Sequence, residues 1–382
     1  MTCRSSRPVW AEFFLERSLE CFLTTLQSGP VKIIRVIFGW LVLVLWACSN
    51  TGSATALQPA LARYEFTRIE MALPFRITLF APNALVASNA ATTAFDRIHQ
   101  LNAILSDYDS DSELSRLSQS SGQGVEFRLS DDLWNVLSAS QEISRNSDGA
   151  FDITVGPLVN LWRKARRDKK FPRPDLLADA RSRVGYTNMV LNERNHTAKL
   201  LHPDMRLDVG GIGKGYALDA AMKVLRAHGI TRALITGAGD MAVGEAPPDK
   251  GGWRVELAPL DAPGAPATQF VLLKNCGFAT SGDLFQRLEI DGKRYSHIVD
   301  PRTGIGLTDH SLVSIIASDA TTADALSKVV SVLGSGKGFP IVRQKGAEAR
   351  AVRKPDDQIE LNETPGFKRF YEWENKKSRS RN

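Results

Sequence analysis

The sequence predicts an α+β fold of mixed, largely antiparallel sheets packed with helices. Three observations carry this reading. Strand-like stretches come in hairpin-like pairs, helical stretches interleave with them irregularly rather than in βαβ alternation, and no repeat of fixed period runs along the chain. With 382 residues, 43% of them hydrophobic and 24% charged, the chain can bury a core. Its length allows about two domains at roughly 150 residues each. Its 29 glycines and 18 prolines are ordinary proportions, which excludes collagen-like, low-complexity and disordered chains.

The first 47 residues read as an export signal. Val36 to Ala47 (VIFGWLVLVLWA) is an unbroken apolar stretch preceded by Lys32 and Arg35. It is too short to cross roughly 30 Å of hydrocarbon and has the size of a signal-peptide apolar region. Leu45-Trp46-Ala47-Cys48 places a small residue before a cysteine, as bacterial lipoprotein processing requires. Residues 1–47 are therefore expected to be a lipoprotein-type signal peptide, a short signal anchor or an ordinary cleaved signal being the other readings. Lipidated Cys48 would hold the exported chain on the periplasmic side of the bacterial inner membrane. Residues 48–63 read as a linker, 64–367 as one folded domain and 368–382 as a basic tail. Cys3 and Cys21 leave with the signal and Cys276 stands alone, so neither a disulfide framework nor a cysteine metal cluster is expected.

The formal charge of +6 lies at the two ends of the chain, and the body between residues 48 and 367 is neutral. A neutral body argues against nucleic acid as a partner.

From Tyr64 the pattern becomes strand-like. YEFTRIEM and PFRITLFA alternate apolar and polar residues, as in a hairpin or adjacent strands. Phe95, Ile98, Leu101, Ile104 and Leu105 recur at helical spacing, and that helix stops at Ser106-Asp107-Tyr108. Ser110-Asp111-Ser112-Glu113 has the capping-box pattern that starts a short helix. Ser130 caps a third, with Leu133, Val136, Leu137 and Ile143 inward. The run from Arg163 to Lys170 (RKARRDKK) reads as a solvated loop and, with Phe171-Pro172-Arg173-Pro174, as a loop or subdomain junction. Further strands are expected at MVLNE, RALIT, WRVELAP, QFVLLKN and LVSIIAS, and helices at residues 216–228 and 322–333.

Chemistry concentrates in the second half. Asp208-Val209-Gly210-Gly211-Ile212-Gly213-Lys214-Gly215 leads from the polar, strand-like MRLDV into a helix. Glycines there let backbone approach a ligand, and free N–H groups at a helix start suit a phosphate; a tight structural turn is the other reading. The segment is neither a Walker A loop, which needs Ser or Thr where Gly215 stands, nor the dinucleotide fingerprint, which needs Gly where Tyr216 stands. Thr236-Gly237-Ala238-Gly239-Asp240 is explicable by turn chemistry. His297, between Ser296 and the Asp300-Pro301 turn, is either structural or a general base for a hydroxyl nucleophile. Asp324, near a helix start, is either a partner for the helix dipole or an oxygen ligand for Mg²⁺.

Seven stretches, in order, resemble the FAD:protein FMN transferase family, the ApbE-type flavin transferases. They are Tyr108-x-Ser110-x-Ser112-Glu113-Leu114-Ser115-Arg116-Leu117, Gly149-Ala150-Phe151-Asp152-Ile153-Thr154-Val155-Gly156-Pro157-Leu158, and residues 208–219, 237–240, 280–283, 297–304 and 323–327. The resemblance implies an ApbE-like fold and a reaction in which a Thr or Ser hydroxyl of a partner protein attacks the FMN-side phosphorus of FAD, releasing AMP. FAD would be a substrate, Mg²⁺ the cofactor, and an acceptor flavoprotein subunit in the cell envelope the partner.

By the same resemblance, flavin contacts fall on Met71, Tyr108, Ala150, Phe151, Asp152, Asp208 and Lys214. Metal contacts fall on the Gly211 carbonyl, Asp324 and Ser327, and His297 is the base. Three departures stand out. Met71-Ala72-Leu73 replaces the family's Met-Gly-Thr, Lys328 stands where the family has a metal-binding Thr, and the RKARRDKK insertion is longer and more basic than in relatives, as a lid or partner-docking loop would be. Two alternatives accompany the transferase reading, an FAD pyrophosphatase and a non-catalytic FAD-binding lipoprotein.

Overall fold

The computed structural model describes residues 60–260, 269–282, 287–355 and 358–372. The signal peptide, Cys48, most of the linker, Asp283 and most of the basic tail lie outside the described residues. Eight strands make one sheet: β1 (Ala62–Glu70), β2 (Leu73–Ala81), β6 (Ala233–Gly237), β7 (Asp240–Val243), β10 (Cys276–Gly282), β13 (Ser311–Ala317), β14 (Glu348–Arg353) and β15 (Glu360–Glu363), side by side in that order. Every neighbouring pair is antiparallel. Smaller sheets join β3 (Phe127–Arg128), β5 (Thr197–Leu200) and β4 (Met189–Asn192), then β8 (Trp253–Glu256) with β9 (Phe270–Leu273), and β11 (Arg287–Ile290) with β12 (Lys293–Ser296). The helices are α1 (Ala84–Leu105), α2 (Glu113–Gln119), α3 (Asp131–Asn146), α4 (Gly156–Asp168), α5 (Pro174–Ser182), α6 (Gly213–Ala227) and α7 (Ala320–Gln344). Gly334 breaks α7 with non-helical angles (φ 71°, ψ 177°). The expected α+β class of largely antiparallel sheets is the one found.

Side chains alternate between the two faces of a strand, and both faces of the large sheet are covered at its central strands. Ile77, Ile235, Ala279 and Ile315 point into a core with Ile98 and Leu101 of α1, Leu218 and Leu225 of α6, and Leu326 and Val329 of α7. Phe278 and Ile316 point the other way, onto Trp253, Val255, Val271 and Leu273 of the β8–β9 hairpin. That double coverage explains why β13 reads as a continuous apolar run, all seven residues being buried.

Several expectations are corrected. The basic run is not a loop: Arg163 to Asp168 form the last turns of α4, because Pro157 starts the helix and Leu158, Trp162 and Ala165 recur on its buried face. The junction begins only at Lys169, which closes the helix in the left-handed conformation (φ 51°). The cap of α2 is Ser112, not Ser110; its Oγ accepts from Ser115 N (3.0 Å), while Glu113 accepts from the N–H and hydroxyl of Ser130 (2.7 and 2.6 Å). MRLDV forms only an isolated bridge, Arg206 beside Val155. The strand expected at QFVLLKN ends at Leu273, and the chain turns at Asn275 (φ 48°) into a further strand, β10, that begins at Cys276.

The β1–β2 hairpin has a two-residue turn, Met71-Ala72, with both residues at positive φ (50° and 59°). That geometry favours glycine, and a side chain there costs roughly 1–2 kcal/mol. Ala72 is exposed, so nothing rewards its methyl group. Ala72→Gly should therefore raise the unfolding free energy by about 1 kcal/mol. Denaturant titration checks this, and a destabilised variant would contradict it.

Candidate active site

The site starts from how closely two helices meet. A Cβ added to Gly215 on α6 would lie 2.3 Å from the carbonyl oxygen of Ala320 on α7, so only glycine fits. Four residues on, the Asp219 carboxylate accepts from Ala320 N (2.9 Å) and Thr321 N (2.8 Å), and from the Thr321 hydroxyl. Asp319 caps the same helix through Thr322 N (2.7 Å). The free N–H groups at the start of α7 are thus satisfied partly from α6, and the first turns of both helices are held side by side.

Between them sits a buried charge cluster. Asp324, fully buried, accepts from Lys328 Nζ (2.6 Å) at Oδ1, and at Oδ2 from Gly215 N (3.2 Å) and Lys214 Nζ (3.2 Å). Lys214 also donates to Gly210 O (3.0 Å) and lies 3.2 Å from Asp240 Oδ2. The Asp240 contact is an ion pair without hydrogen-bond alignment, and both oxygens of this buried carboxylate lack an aligned donor. Burial would raise the Asp324 pKa, but Lys214, Lys328 and the Gly215 N–H outweigh it and hold the carboxyl below its ordinary value. Burial and the neighbouring Asp324 push Asp240 up. For Lys214, burial works against the charge, and Asp324 and Asp240 overcome it to keep the ammonium well above the lysine range.

A second cluster adjoins the first through the loop before α6. Asp208 accepts from Gly210 N (2.8 Å) and from Arg163 (3.0 Å), which also binds Asp107. The Arg163 guanidinium lies over the Tyr108 ring, 4.3 Å from its centre, while 78% of that tyrosine remains exposed. Burial and Asp107 raise the Asp208 carboxyl against the pull of Arg163.

The structure brings most of the expected residues together. Phe151 Cε2 and Lys328 Cγ would each lie 3.3 Å from a Cβ on Gly211, so the ring and the lysine stem flank that glycine. Ala150 and Asp152 adjoin Phe151; the Asp152 carboxylate takes the N–H and hydroxyl of Thr154 (2.8 and 2.7 Å), and burial raises its pKa. Ser327 donates to Asp324 O (2.6 Å) and accepts from Lys328 Nζ (3.1 Å). Two residues stand on separate segments. Met71 lies half-buried in the β1–β2 turn. His297 follows β12 on a stretch tied to α4 by Trp162 Nε1, which donates to Gly304 O (2.8 Å).

Sequence reasoning missed three residues. Arg163 was hidden in a run read as loop, although the helical spacing of Leu158, Trp162 and Ala165 signals otherwise. Asp240 looked like turn punctuation, and no local pattern reveals that its carboxylate turns inward. Lys328 was visible only as a departure. A polar cavity of about 750 Å³, lined by Ser110, Asn160, Lys164 and Arg206 among others, includes no residue of the Lys214–Asp324 cluster.

The family model described as the ApbE family matches residues 71–352. The chain belongs to the ApbE family. Two relatives carrying the name FAD:protein FMN transferase are those of Escherichia coli K12, 32% identical over 278 residues (70% of this chain, 77% of that one), and Klebsiella pneumoniae, 33% identical over 279 residues with the same coverage. The solved flavin transferase ApbE from Vibrio cholerae superposes with a TM-score of 0.73 at 25% identity, covering 81% of this chain and 99% of that one. The apo form of the Pseudomonas stutzeri flavinyl transferase ApbE gives 0.72 at 27% identity, covering 81% and 97%.

Losing one member of a buried ion cluster leaves the others uncompensated, at a cost of about 3–5 kcal/mol. Asp324→Asn should show that loss in chemical denaturation, and a change below about 1 kcal/mol would contradict a structural role for the cluster. Gly215→Ala should cost about 1–3 kcal/mol through overpacking against Ala320.

Proposed function

We propose that this ApbE-family chain transfers the FMN part of FAD to a Thr or Ser hydroxyl of an acceptor protein in the cell envelope, with AMP as leaving group. The acceptor oxygen bonds to the FMN-side phosphorus, the bond from that phosphorus to the bridging oxygen breaks, and AMP leaves with the electron pair. The observation that carries the reading is the pair of ammonium groups, Lys214 from the start of α6 and Lys328 from α7, that meet on Asp324, with the Lys328 stem beside Phe151 at Gly211. They offer positive charge and donors for a diphosphate next to an aromatic surface for a ring. The names of the relatives support the same substrate and product. Tyr108, stacked under Arg163 yet exposed, supplies further aromatic surface. His297 takes the proton of the acceptor hydroxyl, imidazole being the side chain suited to that near neutral pH. Export and lipidation at Cys48 place this chemistry at the periplasmic face of the membrane.

The Mg²⁺ implied by the resemblance does not fit the residues present. Lys328 Nζ lies 2.6 Å from Asp324 Oδ1 and 3.1 Å from Ser327 Oγ, and its stem crosses Gly211. An ammonium is therefore seated against two of the three expected ligands, Asp324 and Ser327, and the lysine stem runs beside the third residue, Gly211. A dication bound to the same oxygens at about 2.1 Å would come within roughly 4 Å of that ammonium, a repulsion of about 8 kcal/mol at an effective dielectric near 20. No step of the reaction is routed through a metal.

Mixing the chain with FAD and an acceptor domain, then weighing the acceptor, should show a gain of one FMN. Free FMN and AMP with an unlabelled acceptor would mean a pyrophosphatase instead. His297→Ala should slow transfer by roughly 10²–10⁴-fold while FAD affinity is kept; equal loss of both would remove His297 from the role of base.

A further inference from the structure

Lys328 does more in this structure than fill space. Its stem passes over Gly211, where any Cβ would meet Lys328 Cγ and Phe151 Cε2 at 3.3 Å. The φ of Gly211 is not positive, so what a side chain there would meet is the Phe151 ring and the lysine stem rather than backbone strain. The ammonium is fixed by Asp324 four residues earlier on the same helix (2.6 Å) and by Ser327 (3.1 Å). An ammonium carries three donors, so two are engaged and one remains. The side chain keeps 18% of its surface accessible, so it is not sealed inside the protein. Lys214, converging on the same carboxylate, brings a second positive charge.

We propose that Lys328 is the built-in cation of this site, holding the diphosphate of FAD together with Lys214, so that the chain binds and uses FAD without a divalent metal. The inference rests on reading the site as the one that takes FAD. It makes Lys328 a substrate-binding residue that fixes which cation the reaction uses. Replacing it by threonine returns two hydroxyls and a carboxylate to the space the ammonium filled, which is a donor set of hard oxygens suited to a divalent ion.

FAD affinity, read by flavin fluorescence, and Mn²⁺ binding, read by electron paramagnetic resonance, test this on the wild type, Lys328→Met and Lys328→Thr. Each is measured with chelator and with Mg²⁺. The wild-type dissociation constant should change by less than about threefold between the two conditions. Lys328→Met should weaken FAD binding by at least about tenfold in both. Lys328→Thr should weaken it in chelator and recover in Mg²⁺, and should bind Mn²⁺ in the presence of FAD where the wild type does not. Circular dichroism confirms that each variant folds. A tightening of wild-type FAD binding by Mg²⁺ of about tenfold or more overturns the proposal, as does Mn²⁺ binding equal in wild type and Lys328→Thr. Acceptor labelling separates this from the transferase reading. Labelling that requires Mg²⁺ removes the built-in cation and leaves the transferase. Metal-independent FAD binding lost in Lys328→Met, with no labelling in any condition, removes the transferase and leaves the cation.

Discussion

Gly215 and Ala320 bring two helix starts into van der Waals contact, and the meeting of Lys214 with Asp324 depends on that approach. Lys214 is the neighbour of Gly215, and Asp324 lies one turn beyond Ala320. If the helices stood a methyl group further apart, Asp324 would lose the Gly215 N–H and part of its hold on Lys214. Asp219 makes the approach favourable rather than merely possible, because its carboxylate supplies acceptors that the start of α7 would otherwise take from water. A backbone feature and a capping interaction thus set the electrostatics of residues that are themselves neither glycine nor cap.

Burying four charges is expensive unless each finds a partner. Asp324 is satisfied on both oxygens, whereas Asp240 has the charge of Lys214 nearby and no aligned donor. An imperfectly satisfied carboxylate beside well-anchored ammonium groups is the kind of compromise found where a fold serves binding as well as stability. Arg163 plays the matching part at the neighbouring cluster, where it joins Asp107 and Asp208 and supports an aromatic ring at the surface.

Much of this architecture was legible in the sequence. Alternation exposed β1 and β2, helical spacing exposed α1 and α3, and the glycine-rich stretch pointed to the start of α6. Local patterns failed where long-range packing decides. The basic turns of α4 are helical because Trp162 and Leu158 have a hydrophobic cluster to fill, which charge composition conceals. Strands β14 and β15 have nothing distinctive apart from their neighbours, since Glu348 to Arg353 becomes a strand by pairing with β13. Within the site, Asp324 was visible as a carboxylate near a helix start. Its burial between two lysines from different helices is a tertiary fact that spacing along the chain does not contain.

The break at Gly334 has a mechanical consequence. It ends the stretch of α7 that carries Asp324, Ser327 and Lys328 before the chain resumes its helical course toward Gln344. Beyond the break, Lys345 pairs with Glu142 at the outer surface. A continuous helix would act as a lever, carrying any tilt imposed at that far end back to the charged groups. The break at Gly334 interrupts that lever, so the first segment of α7 holds Asp324, Ser327 and Lys328 through its own turns and its contacts with Gly215 and Asp219.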